Sequence, residues 1–314
     1  MKTWIVTPVY RDVDSFEILR ERLLEVLGDD ASEARFVVID DTAGQDEEIE
    51  RLQRHRDVTV LRPPFNLGHQ RAIVYALRKI LPGVGDDDAI VTLDADGEDQ
   101  PTDLPRLLAR LHGEGPHLRQ QVVLALRTKR RESLGFKVFY RLFRLLFRSL
   151  TGTTVRSGNF AAMPGSIAKR VLQHPTFDLA YSSAILALDI PVEYVPCERG
   201  ERYKGRSKMT YGRLAMHGLR MLMPFTDRIA IRALGAFVGF AILGVAMAFV
   251  VVCLKLFTSS SIPGWTSYIA LGSLIVSLVA LGNFVSLFVL FSQTRAVSLA
   301  NIEDLTDEDL QPTR

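Results

Sequence analysis

Two hydrophobic patterns divide the chain. Up to about residue 126, short apolar runs alternate with amphipathic stretches. Trp4–Val9, Arg35–Ile39, Val58–Leu61, Ala89–Leu93 and Val122–Leu126 are compact and rich in β-branched residues, which predicts strands. Phe16–Leu27, Glu48–Arg54, Gln70–Leu81 and Leu104–Leu111 carry apolar residues at steps of three and four, which predicts helices. This alternation builds a mostly parallel α/β sheet with helices on both faces. Ligands of such sheets sit at the carboxyl ends of the strands.

The second pattern lies near the C-terminus. Two uncharged blocks run from about Ala233 to Leu254 and from about Tyr268 to Phe291. Each exceeds the roughly 18 apolar residues that mark a membrane span. They predict a transmembrane hairpin, with buried core helices as the competing reading. Arg228 and Arg232 precede the first block, while the connecting Phe257–Thr266 segment is uncharged. The positive-inside rule then places residues 1–228 and the tail in the cytoplasm. Met1–Pro8 lacks a signal-peptide pattern, so export of the large domain is not expected. Gly235 and Gly239 form a small-xxx-small pair expected to face the second span or a neighbouring subunit.

Charge refines this division. The net charge of +2 conceals a basic middle, Arg127–Arg148 and Arg199–Arg220, and an acidic tail. Ser133–Thr151 predicts an amphipathic helix with a Phe-rich stripe and a basic stripe of Lys137, Arg141, Arg144 and Arg148. It suits either a core helix with a solvated face or a helix in the membrane interface. The two cysteines, Cys197 and Cys253, lack metal-site spacing, and a disulfide is not expected.

Candidate chemistry gathers after the strands. Asp94, Asp96 and Glu98 follow an apolar run, and an extended backbone would point all three carboxylates one way. Hard oxygen ligands of this kind suit Mg²⁺ or Mn²⁺ shared with a phosphate-bearing substrate, unless the segment is only a solvated acidic loop. Pro8, Tyr10 and Asp12 follow the first strand, and Asp40 and Asp41 follow the second. Asn66 can cap the helix that Phe65–Leu77 opens, and Gly68 allows close approach of a ligand. Arg202–Lys208 is a basic loop suited to anions, or simply solvated.

Together these motifs resemble the family 2 glycosyltransferases of GT-A fold, in particular the polyprenyl-phosphate sugar transferases. Thr-Pro-Val-Tyr-Arg-Asp resembles the family's Pro-x-Tyr-Asn-Glu, and Val-Val-Ile-Asp-Asp-Thr its Val-Asp-Asp-Ser. Asn-Leu-Gly-His-Gln-Arg-Ala is close to Asn-x-Gly-His-Gln-x-Ala, and Asp94-Ala95-Asp96 is an Asp-x-Asp motif. Arg-Tyr-Lys-Gly-Arg-Ser-Lys resembles Arg-x-x-Gly-x-Ser-Lys.

The resemblance implies a Rossmann-like GT-A domain over 1–212 and a membrane-proximal helix over 213–228. Two transmembrane helices within 229–292 and an acidic cytoplasmic tail over 293–314 complete the expected organisation. It implies transfer of one sugar, with inversion, from a UDP- or GDP-linked donor to a polyprenyl phosphate. Pro8, Tyr10, Asp12, Asp40, Asp41, Gly68, His69 and Asp94 would bind nucleotide. Asp94, Asp96 and Glu98 would bind metal, with Glu98 where the family often has Gln. Arg127, Lys137, Arg141, Arg202 and Lys208 would receive the acceptor phosphate, and Asp96, Arg127 and Arg141 would be catalytic. The expected location is the cytoplasmic membrane, with no nucleic-acid partner and with homo-oligomerisation through the spans left open.

Departures from the pattern are Arg11 for Asn, Asp12 for Glu, and Asn159 where the bactoprenol branch has Asp. A glycerolipid hydroxyl is the alternative acceptor and would need a base, for which Asp99, Asp103 and Asp178 are candidates. A catalytically silent membrane scaffold is the non-enzymatic alternative. A processive synthase is disfavoured, because the only tryptophans, Trp4 and Trp265, form no Gln-x-x-Arg-Trp motif.

Overall fold

The computed structural model describes residues 1–111, 121–127, 134–155, 157–204, 211–257 and 264–293. Contacts divide the chain into two compact units. Among the described residues, the first lies within 1–141 and 155–224, and the second within 142–154 and 225–293.

The first unit is built on a seven-stranded sheet of order β3-β2-β1-β4-β6-β5-β7. Its strands are β1 (Thr3–Val9), β2 (Ala34–Asp40), β3 (Val58–Leu61), β4 (Ala89–Thr92), β5 (Val122–Arg127), β6 (Ser157–Pro164) and β7 (Val192–Cys197). All described pairings are parallel except those of β6, which runs antiparallel between β4 and β5. This reversal matters for the site. The start of β6 lies beside the ends of β4 and β5, with Thr92 opposite Ala161 and Leu126 opposite Ser157. Residues 157–159 therefore reach the same edge as the carboxyl ends of the parallel strands.

Successive strand residues feed two cores, as period two requires. Ile5, Phe36, Val38, Val91 and Val123 pack under α1 (Val13–Leu27) and α3 (Leu104–Leu111). Val6, Val37, Ile39, Ile90 and Leu124 pack under α2 (His69–Ile80), α5 (Gly165–Val171) and α6 (Tyr181–Ala187). α1 forms because Val13, Phe16, Leu19, Leu23 and Leu27 recur on one face, all buried. Phe16 meets Phe36 edge to face at 6.1 Å. Truncating a buried Phe of this kind to Ala costs about 3–5 kcal/mol. Glu48–Arg54, expected as an amphipathic helix, falls in a 3-10 helix over Glu47–Arg54.

In the second unit, the end of α4 (Leu134–Thr151) joins α8 (Thr226–Phe257) and α9 (Trp265–Gln293). Phe147 is buried and stands edge to face with Phe225 at 5.4 Å. Arg228 donates to Thr153 Oγ1 at 3.1 Å, and Arg232 donates to the carbonyl of Ser149 at 3.0 Å. On the described part of α4, Arg141, Arg144 and Arg148 recur at steps of three and four along one exposed side, while Phe143, Phe147 and Leu150 turn inward on the other. Leu142, Leu145 and Leu146 are exposed beside exposed Arg141, Arg144 and Arg148.

α8 and α9 pack against each other. They expose Phe240, Ile242, Phe249, Tyr268 and Val276, among other large apolar side chains. Counted over the described residues alone, no helix is long and apolar enough to cross a membrane. The sequence of the two helices carries the uncharged blocks noted above. A Cβ added at Gly235 or Gly239 would meet no atom within 4 Å, so neither glycine is pressed against the second helix.

Candidate active site

The carboxyl edge of the sheet gathers most of the expected residues. Pro8 lies in β1, and Tyr10 just after it is 51% exposed, leaving a ring face free to stack. Arg11 takes a left-handed backbone (φ 52°), which re-aims the chain between β1 and α1. Asp12 occupies the N-cap of α1 but makes no side-chain cap bond, so its carboxylate remains available.

The acids after β2 are held by backbone amides. Asp40 is fully buried and accepts from the Thr42 amide at 3.0 Å, the Thr42 hydroxyl and the Gly44 amide at 3.1 Å. Asp41 Oδ1 accepts from the amides of Leu67 at 2.7 Å and Gly68 at 3.3 Å. Burial nevertheless raises the Asp41 pKa against those two amides. Asn66 is not the helix cap. Its side chain donates to the Asp41 carbonyl at 2.6 Å, and Gly68 caps α2 with φ 76°. A left-handed N-cap of this kind favours glycine.

The acids after β4 differ. β4 ends at Thr92 and Gly97 turns back with φ 89°, so strand alternation does not align Asp94, Asp96 and Glu98. The basic loop instead lies along this turn. The Gly200 amide donates to the Glu98 carbonyl, the Tyr203 amide donates to the Asp96 carbonyl, and Asp99 bridges to Arg199. A Cβ at Gly97 would come 2.7 Å from the Tyr203 ring, so only glycine allows this ring to lie on the turn. The Arg22 guanidinium sits 4.7 Å from the centre of the same ring.

Side-chain cations neutralise the cluster. Arg202 reaches Asp96 at 2.8 Å and Glu98 at 3.0 Å, and Arg199 reaches Glu98 at 2.6 Å. Arg127 binds Asp99 at 2.8 Å and stands 4.0 Å from both Asp94 and Glu98. His69 meets Asp94 at 2.8 Å. Burial and the neighbouring charge of Asp94 push Asp96 up to about 6, against the pull of Arg202. Burial also works against the charge on Asp94, but His69, Arg127 and a bond from Asn159 outweigh it and hold that carboxyl low. Correspondingly, Asp94 raises His69 although burial opposes it.

A polar relay fixes this corner. The Ser182 amide donates to Gln70 Oε1 at 3.0 Å, and Gln70 Nε2 donates to Asn159 Oδ1. The Asn159 amide nitrogen therefore faces Asp94 Oδ1 at 3.1 Å and the His69 ring. Asn159 thus supplies a donor where an Asp would add another negative charge. The sequence singled out Asn159 as a departure but carried no signal of its partners Gln70 and Ser182. It also missed Arg199 and Tyr203 as partners of the acid turn, although the motif ending in Lys208 contains Tyr203.

Arg127, expected to receive the acceptor phosphate, lies inside the cluster and pairs with its acids. Arg141 is exposed on α4, while the side chains of Lys137 and Lys208 lie outside the described residues. The three candidate bases are all spent in ion pairs: Asp99 with Arg127, Asp103 with Arg106, and Asp178 with Arg78.

The donor chemistry fits a divalent cation. Glu98, however, is turned to two arginines, and among the described residues no three His, Cys, Asp or Glu side chains are gathered for a metal. Asp94 and Asp96 remain as a carboxylate pair. Mg²⁺-type sites need only one or two carboxylates when substrate phosphates complete the shell.

Comparison with known proteins places this geometry. The profile described as Glycosyl transferase family 2 matches residues 4–172. An uncharacterized glycosyltransferase, YkcC, from Bacillus subtilis (strain 168) is 29% identical over 88% of this chain and 84% of its own length. The undecaprenyl-phosphate 4-deoxy-4-formamido-L-arabinose transferase of Edwardsiella ictaluri (strain 93-146) is 27% identical over 90% of this chain and 87% of its own. The crystal structure of Mycobacterium tuberculosis glucosyl-3-phosphoglycerate synthase with Mn²⁺ and UDP-glucose superposes with a TM-score of 0.50. It covers 73% of this chain and 79% of that one at 16% identity, a likeness of fold.

Proposed function

Since the chain belongs to glycosyl transferase family 2, we propose that it moves one sugar from a nucleotide diphosphate donor to a membrane polyprenyl phosphate. The observation that carries this reading is the acid turn at the sheet edge, whose counter-ions are side-chain cations able to exchange for a charged donor. Asp94 and Asp96 would hold Mg²⁺ or Mn²⁺, which when bound neutralises the donor diphosphate and stabilises the departing nucleotide. The relative from Edwardsiella, named for its undecaprenyl-phosphate acceptor, supports the lipid part.

The chain's own groups then have defined tasks. Tyr10 and Asp12, just beyond Pro8 at the end of β1, offer a ring and an available carboxylate for base and ribose. Arg199 and Arg202 trade the carboxylates for phosphate oxygens, a charge-assisted exchange that Arg performs well. Arg127 holds Asp99 and keeps the turn in place. The anomeric carbon loses its bond to the diphosphate oxygen and gains one to an oxygen of the acceptor phosphate, with inversion. The attacking phosphate is already anionic, so no proton need be removed and a neutral Asn159 is sufficient.

The second unit suits membrane anchoring. Exposed apolar side chains along α8 and α9 would be costly in water. Ser273, Ser277 and Ser286 each donate to a carbonyl one turn earlier at 2.8 Å, which satisfies their hydroxyls without solvent. Both helices crossing the cytoplasmic membrane, with the sheet unit inside, follows from Arg228 and Arg232 before the first. In a background lacking the native cysteines, a cysteine replacing Ser260 should label from outside intact cells and one replacing Ser298 should not. The reverse pattern defeats this topology.

The test of the activity uses membranes containing the protein, undecaprenyl phosphate and a panel of radiolabelled UDP- and GDP-sugars. Label should enter the organic phase with one donor and increase with added lipid phosphate. Transfer to a glycerolipid instead would refute the acceptor assignment.

A further inference from the structure

Beyond the acid turn, α2 and α7 (Tyr211–Leu222) bring together Arg71 and Arg220, for which no acid partner in an ion pair is found among the described residues. Arg71, on the first turn of α2, has its Nε and Nη2 shielded from water with no hydrogen-bond partner. Leaving guanidinium donors dry and unpaired is costly, so such an arrangement normally anticipates an anion. Arg220, exposed on α7, points its Nη1 to within 3.7 Å of where a Cβ on Gly68 would sit. His217 lies one turn before Arg220 on the same helix, half-buried, and therefore shares its face. Burial lowers the Arg71 pKa and nearby Arg220 lowers it further, against the opposing charges of Asp178 and Asp41.

The acids within reach are engaged elsewhere. Asp178 binds Arg78, Asp41 takes the Leu67 and Gly68 amides, and Asp94 is held by His69 and Asn159. The surplus of positive charge therefore has no internal remedy among the described residues. Next to Arg220 on the α7 surface, Met216 and Leu219 are 52% and 55% exposed. A phosphate seat bordered by exposed apolar side chains suits a phosphate that carries a hydrocarbon chain.

We propose that Arg71, His217 and Arg220 form the seat of the acceptor's phosphate, with Met216 and Leu219 against its first isoprene units. This rests on the polyprenyl-phosphate reading above and names different residues from the arginines of the acid turn. In this arrangement Arg220 is a recognition residue for the lipid and makes no contribution to donor binding.

The experiment measures equilibrium binding of radiolabelled farnesyl phosphate to the full chain in nanodiscs, with farnesol, inorganic phosphate and UDP plus Mn²⁺ as parallel ligands. Arg220→Gln should weaken farnesyl phosphate by about tenfold or more, the worth of a charge-assisted contact. Arg220→Lys should recover part of that loss. Farnesol and UDP–Mn²⁺ should stay within about twofold of wild type, a split that general loss of structure could not produce. Arg71→Met should reproduce the defect without lowering the unfolding temperature, because it removes unpaired buried donors.

Wild-type affinity for farnesyl phosphate in both Arg220→Gln and Arg71→Met overturns the seat and leaves the acceptor reading standing. An equal loss of UDP–Mn²⁺ binding also overturns it, by assigning the arginines to the donor. Inorganic phosphate bound as tightly as farnesyl phosphate overturns the lipid specificity. If wild type binds UDP–Mn²⁺ but no farnesyl phosphate, the acceptor reading falls and the seat falls with it.

Discussion

Two sets of acids stand at the ends of the strands that flank β1 and are held in opposite ways. Asp40 and Asp41, after β2, are gripped by amides of the backbone at Thr42, Gly44, Leu67 and Gly68. Asp94, Asp96, Glu98 and Asp99, after β4, are met mainly by the side chains of His69, Arg127, Arg199 and Arg202. An amide cannot leave its partner without unmaking the local turn, whereas an arginine can rotate to a new anion. The first set therefore builds the loops around the site, and the second, apart from the Asp99–Arg127 pair that keeps its turn in place, can respond to a charged ligand. The carboxylates look alike in the sequence, which conceals this difference, because it lies in the partners.

The largest effect that would sharpen this contrast is expected at Asp96. Asp96→Asn should lower the transfer rate by about a thousandfold, the several kcal/mol that a lost metal-binding charge represents. Initial rates with labelled donor measure it, and retained activity would erase the distinction between the two sets. Next comes Asp40→Ala. It leaves two buried amides and a hydroxyl without an acceptor, so urea unfolding should show a loss of about 2–4 kcal/mol.

A smaller effect concerns pH in the metal-free protein. Asp96 is raised to about 6 by burial and by the charge of Asp94. Between about pH 4 and pH 6 the folded state keeps a proton that the unfolded state has lost. Stability should therefore fall as pH rises through that window and stay lower above it, by up to about 3 kcal/mol. Denaturation in EDTA across the window checks this, and Asp96→Asn should remove the slope. The smallest effect is expected for Asp41→Asn, which retains an oxygen for the Leu67 and Gly68 amides. Its stability should remain within about 1 kcal/mol of wild type.

Much of the sheet unit was legible because its central strands are short apolar runs between amphipathic helices. β1 to β5 begin and end within about one residue of their periodic patterns. β6 and β7 were not foreseen. Ser157–Pro164 is rich in Gly, Ala and Pro, and Val192–Cys197 includes Pro196, so neither has a strong strand signature. That omission had a consequence at the site. Without β6 lying antiparallel beside β4, nothing in the sequence brings Asn159 to Asp94. Likewise the acid run was visible, but its pairing with Arg199 and Arg202 depends on a loop about a hundred residues away. The alternation of Asp94, Asp96 and Glu98 misled because β4 stops at Thr92, before the pattern could act.

The most direct test of the exchangeable acid turn is calorimetric titration of UDP and GDP, with and without Mn²⁺, into wild type and Asp96→Asn. Mn²⁺ should tighten one nucleotide by about tenfold or more in wild type and leave its affinity unchanged in Asp96→Asn. Equal affinities with and without Mn²⁺ in wild type, or the same tightening in Asp96→Asn, would contradict it.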